Sequence, residues 1–210
     1  MKVKICGITN FNDATLALEL GADAIGFILA PSPRQISVTQ LQAITCQLPD
    51  KAFTVGVFVN EKPENILKIV QLTGLKAVQL HGQEKKEDLV FLKAQMPNLI
   101  LLKAIAIQKN SFTINPDQYS FADILLFDSA GSHFSPELRK PIDSDILALS
   151  PYTKNFFLAG GLNIDNIEDM ITRYNPSGVD ISSGIEISPG KKDAQLMKKI
   201  ILISKNKERK

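Results

Sequence analysis

Long apolar runs are missing from this chain: nowhere do about 18 consecutive apolar residues occur, so no segment is read as a membrane-crossing helix. The opening MKVKICGIT is charged and its apolar stretch is too short for a secretory signal. Cysteine is scarce. Cys6 and Cys46 form no CxxC pair, which excludes a disulfide framework and fits a reducing compartment, so a soluble cytoplasmic protein is expected. Histidine is equally sparse, and His81 and His133 stand apart without the spacing of a metal site, so no metal is expected. An excess of one charge is also lacking. With 24 Lys and Arg against 22 Asp and Glu, the net charge of +2 creates no broad field for nucleic acid or acidic membranes. A ligand must therefore be recognised locally.

No linker or low-complexity stretch divides the 210 residues, a length suited to one domain over residues 1–210. The tail KNKERK (205–210) reads as a solvated end. Eight short runs rich in Val, Ile, Leu and Phe recur: VKICGI (3–8), AIGFIL (24–29), FTVGVFV (53–59), AVQL (77–80), LILLKAIAI (99–107), ILLF (124–127), NFFLA (155–159) and GVDIS (178–182). Most are continuous in apolarity, as parallel strands covered by helices require. Amphipathic helical patterns fall between them at 13–20, 39–48, 62–72, 84–95, 164–174 and 194–203, with a short helix near 116–119 and an irregular loop at 129–142. Alternation of this kind points to an α/β fold, the closed (β/α)8 TIM barrel, and the rival open sheet lacks its GxGxxG fingerprint here.

In such a barrel the site lies at the carboxyl ends of the strands. Those ends carry Cys6, Arg34, Asn60, His81 and Asp128. Strand seven ends in Gly160 and Gly161, with Asn163 as the expected helix N-cap; strand eight ends in Ser182, Ser183 and Gly184 at the start of a short helix. Unpaired backbone donors in these two adjacent loops suit a phosphate. Cys6, near that anion site and near cationic side chains, is expected to have a lowered pKa, whereas Asp128 in a partly desolvated mouth is expected to have a raised one. Cys46, beside Ile44 and Leu48, reads as packing. Period-two counting points Lys4 and Lys103 into the barrel and brings Lys4 near Asp180, a pairing read as structural. His81 can line the pocket.

KICGIT (4–9), SPR (32–34), VGVFVN (55–60), QLHG (79–82), Asp128-Ser129, LAGGLN (158–163), VDISSGIE (179–186) and PGKKD (189–193) resemble, in order, the motifs of the phosphoribosylanthranilate isomerase family of tryptophan biosynthesis. The resemblance implies cofactor-free chemistry on a small phosphorylated substrate: the Amadori rearrangement of N-(5-phosphoribosyl)anthranilate to 1-(2-carboxyphenylamino)-1-deoxyribulose 5-phosphate. It implies Asp128 as acid and Cys6 as base, Arg34 on the anthranilate carboxylate, and Gly161, Ser182, Ser183 and Gly184 on the phosphate. Asp180 would support the sugar hydroxyls or the strand end. A monomer or a homodimer fits equally.

The chain departs from that pattern in one place. Where the family carries a loop of the kind GGTG-K-TFDW, residues 135–144 read SPELRKPIDS, with prolines at 136 and 141 in place of glycines. Proline fixes φ where glycine frees it, so slower lid closure is expected. The alternative that this opens is a slow or non-catalytic phosphosugar-binding barrel.

Overall fold

The computed structural model describes residues 1–106, 119–128 and 155–206. The expected helix near 116–119 falls almost wholly outside them, as do His133 and the loop at 129–144.

Eight parallel strands close into a barrel in sequence order: β1 (Lys2–Ile5), β2 (Ala24–Ile28), β3 (Thr54–Phe58), β4 (Ala77–Leu80), β5 (Ile100–Ala106), β6 (Ile124–Asp128), β7 (Phe156–Ala159) and β8 (Gly178–Ile181). β8 pairs with β1 in the register Lys4↔Asp180, which completes the closure. The helices are α1 (Phe11–Glu19), α2 (Val38–Thr45), α3 (Pro63–Thr73), α4 (Lys86–Gln95), α5 (Ile167–Tyr174) and α6 (Ala194–Asn206). Beyond β8 a short antiparallel hairpin follows, β9 (Glu186–Ser188) with β10 (Lys191–Lys192). Among the described residues no helix is long and apolar enough to cross a membrane.

Local chemistry explains the helix ends. Asn10 caps α1 by accepting from the Asp13 amide, and Ser37 with Gln40 forms a reciprocal capping box on α2. α3 starts on Pro63, whose missing N–H is not needed in a first turn, and stops at Gly74 with φ 68°. α5 starts later than the sequence pattern suggests. Asn163 does not cap it: its carboxamide oxygen accepts from the Asp165 and Asn166 amides and closes the turn before the helix, and Asn166 takes the cap position.

Strand parity sorts the core into two regions. Val3, Ile5, Ile25, Phe27, Val78, Leu80, Leu101, Ile105, Phe127, Leu158, Val179 and Ile181 join the large cluster that packs against the helices. Residues of opposite parity, including Ala24, Val55, Ala77, Leu102, Ala104, Leu126, Phe157 and Ala159, form smaller clusters inside the barrel. Lys4, Gln79, Asp128 and Asp180 share this inner parity, because Lys4 pairs with Ala24 and Asp180, Gln79 with Leu102, and Asp128 with Ala159. Lys103 does not. Its register partners Leu80 and Leu125 belong to the helix-facing side, so the expectation that it points into the barrel is corrected. Lys103 instead donates to Glu84 at 2.7 Å and to the Leu80 and Gly82 carbonyls, bracing the loop after β4. Cys46 is a second correction: it caps the exposed end of α2 and is itself exposed, because the apolar stripe of that helix runs through Leu41 and Ile44.

Candidate active site

The inward parity of β1, β4, β6 and β8 carries ionisable or polar side chains to the carboxyl-end mouth, where an apolar core would otherwise continue. Cys6 follows directly on β1, its amide donating to the Ile181 carbonyl at 2.8 Å so that the thiol stays tied to the barrel wall. Lys4, two residues earlier, lies just below it on the same face. The Lys4 ammonium donates to both Asp180 oxygens at 2.9 Å and lies beside the Cys6 sulfur. Both the ammonium and the sulfur come within 2.9 Å of where a Cβ on Gly26 would stand, so glycine on β2 is what leaves room for the pair.

The charges in this cluster are coupled. Burial by itself would lower the Lys4 pKa, but Asp180 and Cys6 outweigh it and hold the ammonium above the usual lysine value. For Cys6 the balance runs the other way. Burial pushes the thiol up, Lys4 and Lys192 pull it down, Asp180 pushes it up again, and the result is a raised pKa. The lowered value expected from sequence is corrected: a thiol this deep loses more by desolvation than two nearby cations return.

Across the mouth, Asp128 ends β6 with its Oδ2 3.2 Å from Nε2 of His81, the first residue beyond β4. The other imidazole nitrogen, Nδ1, is 2.8 Å from the carboxamide nitrogen of Gln79. Gln79 is buried in the barrel interior.

Between β6 and β1 stand β7 and β8, whose carboxyl ends lead into the loops of Gly160 and Gly161 and of Ser182, Ser183 and Gly184. Gly160 and Gly161 have φ of 89° and 67°, a left-handed conformation that glycine adopts without strain. After β8 a single 3-10 turn, Ser183–Ile185, begins beside Ser182. Gly184 packs so closely on the β7 loop that a Cβ would stand 2.0 Å from the Leu162 carbonyl oxygen. The two loops are therefore one packed unit. Gly7, with φ 72°, closes its flank: a Cβ there would meet Arg34 Cδ at 2.7 Å and Ser182 Oγ at 2.9 Å. Arg34 is thereby placed beside Ser182, although 148 residues separate them (182 − 34).

Arg34 is held by Glu186. Nε donates to Oε1 at 2.9 Å and to Oε2 at 3.0 Å, and Nη2 donates to Oε2 at 2.7 Å, a two-pronged ion pair. Glu186 also accepts from Lys192 at 2.8 Å. Burial works against its charge, but Arg34 and Lys192 keep its carboxyl below the ordinary range. Sequence spacing assigns no role to Gln79, Glu186 or Lys192, although QLHG, VDISSGIE and PGKKD contain them. One usable signal is local: Gln79 lies two residues before His81 and so shares its strand face, whereas the burial of Lys192 has no counterpart in the sequence. Among the described residues no group of three His, Cys, Asp or Glu side chains could hold a metal ion.

A thiol and a carboxyl on the strands that flank β7 and β8 can exchange protons with two different atoms of one ligand. Comparison with known proteins gives the same direction. The family model described as N-(5'-phosphoribosyl)anthranilate (PRA) isomerase matches residues 3–202. An N-(5'-phosphoribosyl)anthranilate isomerase of Microcystis aeruginosa is 40% identical over 97% of this chain and 95% of its own. A crystal structure of phosphoribosyl anthranilate isomerase in complex with reduced 1-(o-carboxyphenylamino)-1-deoxyribulose 5-phosphate superposes with a TM-score of 0.83 at 37% identity, covering 98% of this chain and 99% of that one. Monomers generated from the dimeric enzyme of Thermotoga maritima superpose at 0.81 and 36% identity, covering 98% of each chain.

Proposed function

The chain belongs to the N-(5'-phosphoribosyl)anthranilate isomerase family, and from that premise we propose how its own residues carry out the Amadori rearrangement of tryptophan biosynthesis. Asp128 is the acid. It protonates the ribose ring oxygen, the furanose opens, and the positive charge of the resulting iminium acidifies the proton on C2. Cys6, as thiolate, removes that proton, and the enolamine tautomerises to the ketone. Arg34 receives the anthranilate carboxylate, a planar fork meeting a planar anion. Gly160, Gly161, Ser182, Ser183 and Gly184 receive the phosphate, while His81 and Asp180 line the sugar between.

The observation that carries this reading is angular. β7 and β8 are the two strands between β6 and β1. A substrate anchored by its phosphate over those two strands has Asp128 on one side and Cys6 on the other, as an acid and a base for neighbouring atoms must be. One domain over residues 1–210, working in the cytoplasm on a small phosphorylated substrate without cofactor or metal, as monomer or homodimer, completes the proposal.

Loss of fluorescence of freshly made phosphoribosylanthranilate measures the reaction. Cys6→Ser and Asp128→Asn are each expected to lower kcat by at least about 100-fold with the fold intact. Near-wild-type turnover in either variant would sink the assignment of that residue as acid or base.

A further inference from the structure

Lys192 lies on the short hairpin beyond β8 and is buried, yet its ammonium makes three hydrogen bonds. It donates to the Cys6 carbonyl at 2.6 Å, to the Ser182 carbonyl at 3.2 Å and to Glu186 Oε1 at 2.8 Å. Those acceptors belong to the loop after β1, the loop after β8 and the partner of Arg34, which comes from the loop after β2. One cation thus ties together the three segments to which the proposed function gives the base, the phosphate and the carboxylate.

Glu186 passes this constraint on to Arg34. A guanidinium has two edges that can each meet a carboxylate side-on, Nε with Nη2 and Nη1 with Nη2. Glu186 occupies the first, with three donor–acceptor distances between 2.7 and 3.0 Å. The second edge is the one left for a ligand, and its direction is set once the first is fixed. Glu186 is itself immobilised by Lys192 and by the Gly190 amide at 3.3 Å, and its side chain is only 4% exposed. A flexible arginine would lose rotamer freedom on gripping a carboxylate; one already clamped does not.

We propose that Glu186 and Lys192 are positioning residues that clamp the Arg34 guanidinium by its Nε edge, so that its Nη1–Nη2 edge is preorganised for the substrate's carboxylate. This rests on the assignment of Arg34 to the anthranilate end. It gives the hairpin β9–β10 a part in substrate recognition that a purely structural brace would not have. The brace reading predicts damage to every ligand alike, whereas the clamp predicts loss confined to ligands that carry the carboxylate.

The test is calorimetry with two probes, reduced 1-(o-carboxyphenylamino)-1-deoxyribulose 5-phosphate and the same molecule with an unsubstituted phenyl ring. Glu186→Gln keeps the shape and removes the charge; it is expected to weaken the carboxylate probe by at least about tenfold and the other by less than about twofold. In an Arg34→Ala background the same change should add nothing, since the clamp would have nothing to hold. Equal weakening of both probes by Glu186→Gln, with Arg34→Ala still discriminating between them, overturns the clamp and leaves Arg34 assigned. If Arg34→Ala itself fails to discriminate, the underlying assignment falls, and the clamp with it. Should Glu186→Gln not fold, Arg34→Lys gives an independent reading, because lysine keeps the charge without the two-edged fork. It is expected to lose the discrimination between probes, and full retention would show that a point charge suffices and no clamp is needed.

Discussion

Lys4 and Asp180 face each other across the β1–β8 seam, with the ammonium 2.9 Å from each carboxylate oxygen and the Cys6 sulfur beside it. The pair is structural in that it fills the inner barrel with matched charge where a lone ion could not remain. It is also electrostatic machinery for the base. Lys4 is the largest influence drawing the Cys6 pKa down against burial, and Asp180 tempers it.

Lys4→Gln should therefore make Cys6 a weaker acid. The glutamine amide can still donate to Asp180, but the cation that favours thiolate is gone, and a raised pKa means less thiolate at any given pH. The midpoint of iodoacetamide alkylation against pH, followed in a Cys46→Ser background because Cys46 is exposed, is expected to rise by at least about one unit. kcat/KM near neutrality should fall and recover partly as pH rises. An unmoved alkylation midpoint would show that Lys4 serves packing alone.

Much of this arrangement was legible in the sequence, and the failures have physical causes. Eight apolar runs gave eight strands, since continuous apolarity at strand length survives any detail of packing. Cys6, His81, Arg34 and Asp128 could be placed at strand ends by counting. Lys103 was misplaced because its direction depends on register, which hydrophobic pattern does not set in a strand buried on both faces; Leu80↔Lys103 decides it. The Cys6 pKa went the wrong way because proximity to cations can be guessed from neighbours in sequence, whereas depth of burial cannot. Glu186 and Lys192 are not legible in the sequence because their partners, Arg34 and the Cys6 carbonyl, lie 152 and 186 residues away.

At the opposite end of the barrel, Asp23 accepts from the Val3 amide at 2.8 Å and from Lys2 at 3.0 Å, and also pairs with Lys205 on α6. Burial raises its pKa, but these donors outweigh it, and the carboxyl stands below its ordinary value. A depressed carboxylate pKa stabilises the fold above the unfolded value, about 3.9, and that contribution is lost as pH falls through the folded value. Asp23→Asn should thus cost about 1–2 kcal/mol at neutral pH, discounted for partial exposure, and almost nothing in strong acid. Urea unfolding of both proteins across the acid range tests the sign. A gap that stays constant to the lowest pH would mean that packing, not charge, separates them.

The last prediction concerns Gln79, two residues before His81 on the inner face of the barrel. Its carboxamide nitrogen is 2.8 Å from His81 Nδ1, while its buried carboxamide oxygen has no hydrogen-bond partner among the described residues. An amide nitrogen can only donate, so Nδ1 accepts; the hydrogen-bond network then assigns the ring proton to Nε2, directed at Asp128 Oδ2 3.2 Å away. Gln79 therefore selects the tautomer that steadies the acid, and it does so at the cost of an unsatisfied oxygen. Gln79→Leu removes both the lock and the unsatisfied atom. Its melting temperature is expected to stay level or rise, while kcat falls about tenfold and inorganic phosphate binding, supplied by the loops after β7 and β8, stays unchanged. Such opposite movement of stability and turnover is not what a packing defect produces. His81→Phe should lower kcat at least as far, and adding Gln79→Leu to it should lower kcat no further, because both changes act on Asp128 through the one imidazole. Additive losses in the double variant would place Gln79 on a route to the substrate that does not pass through His81.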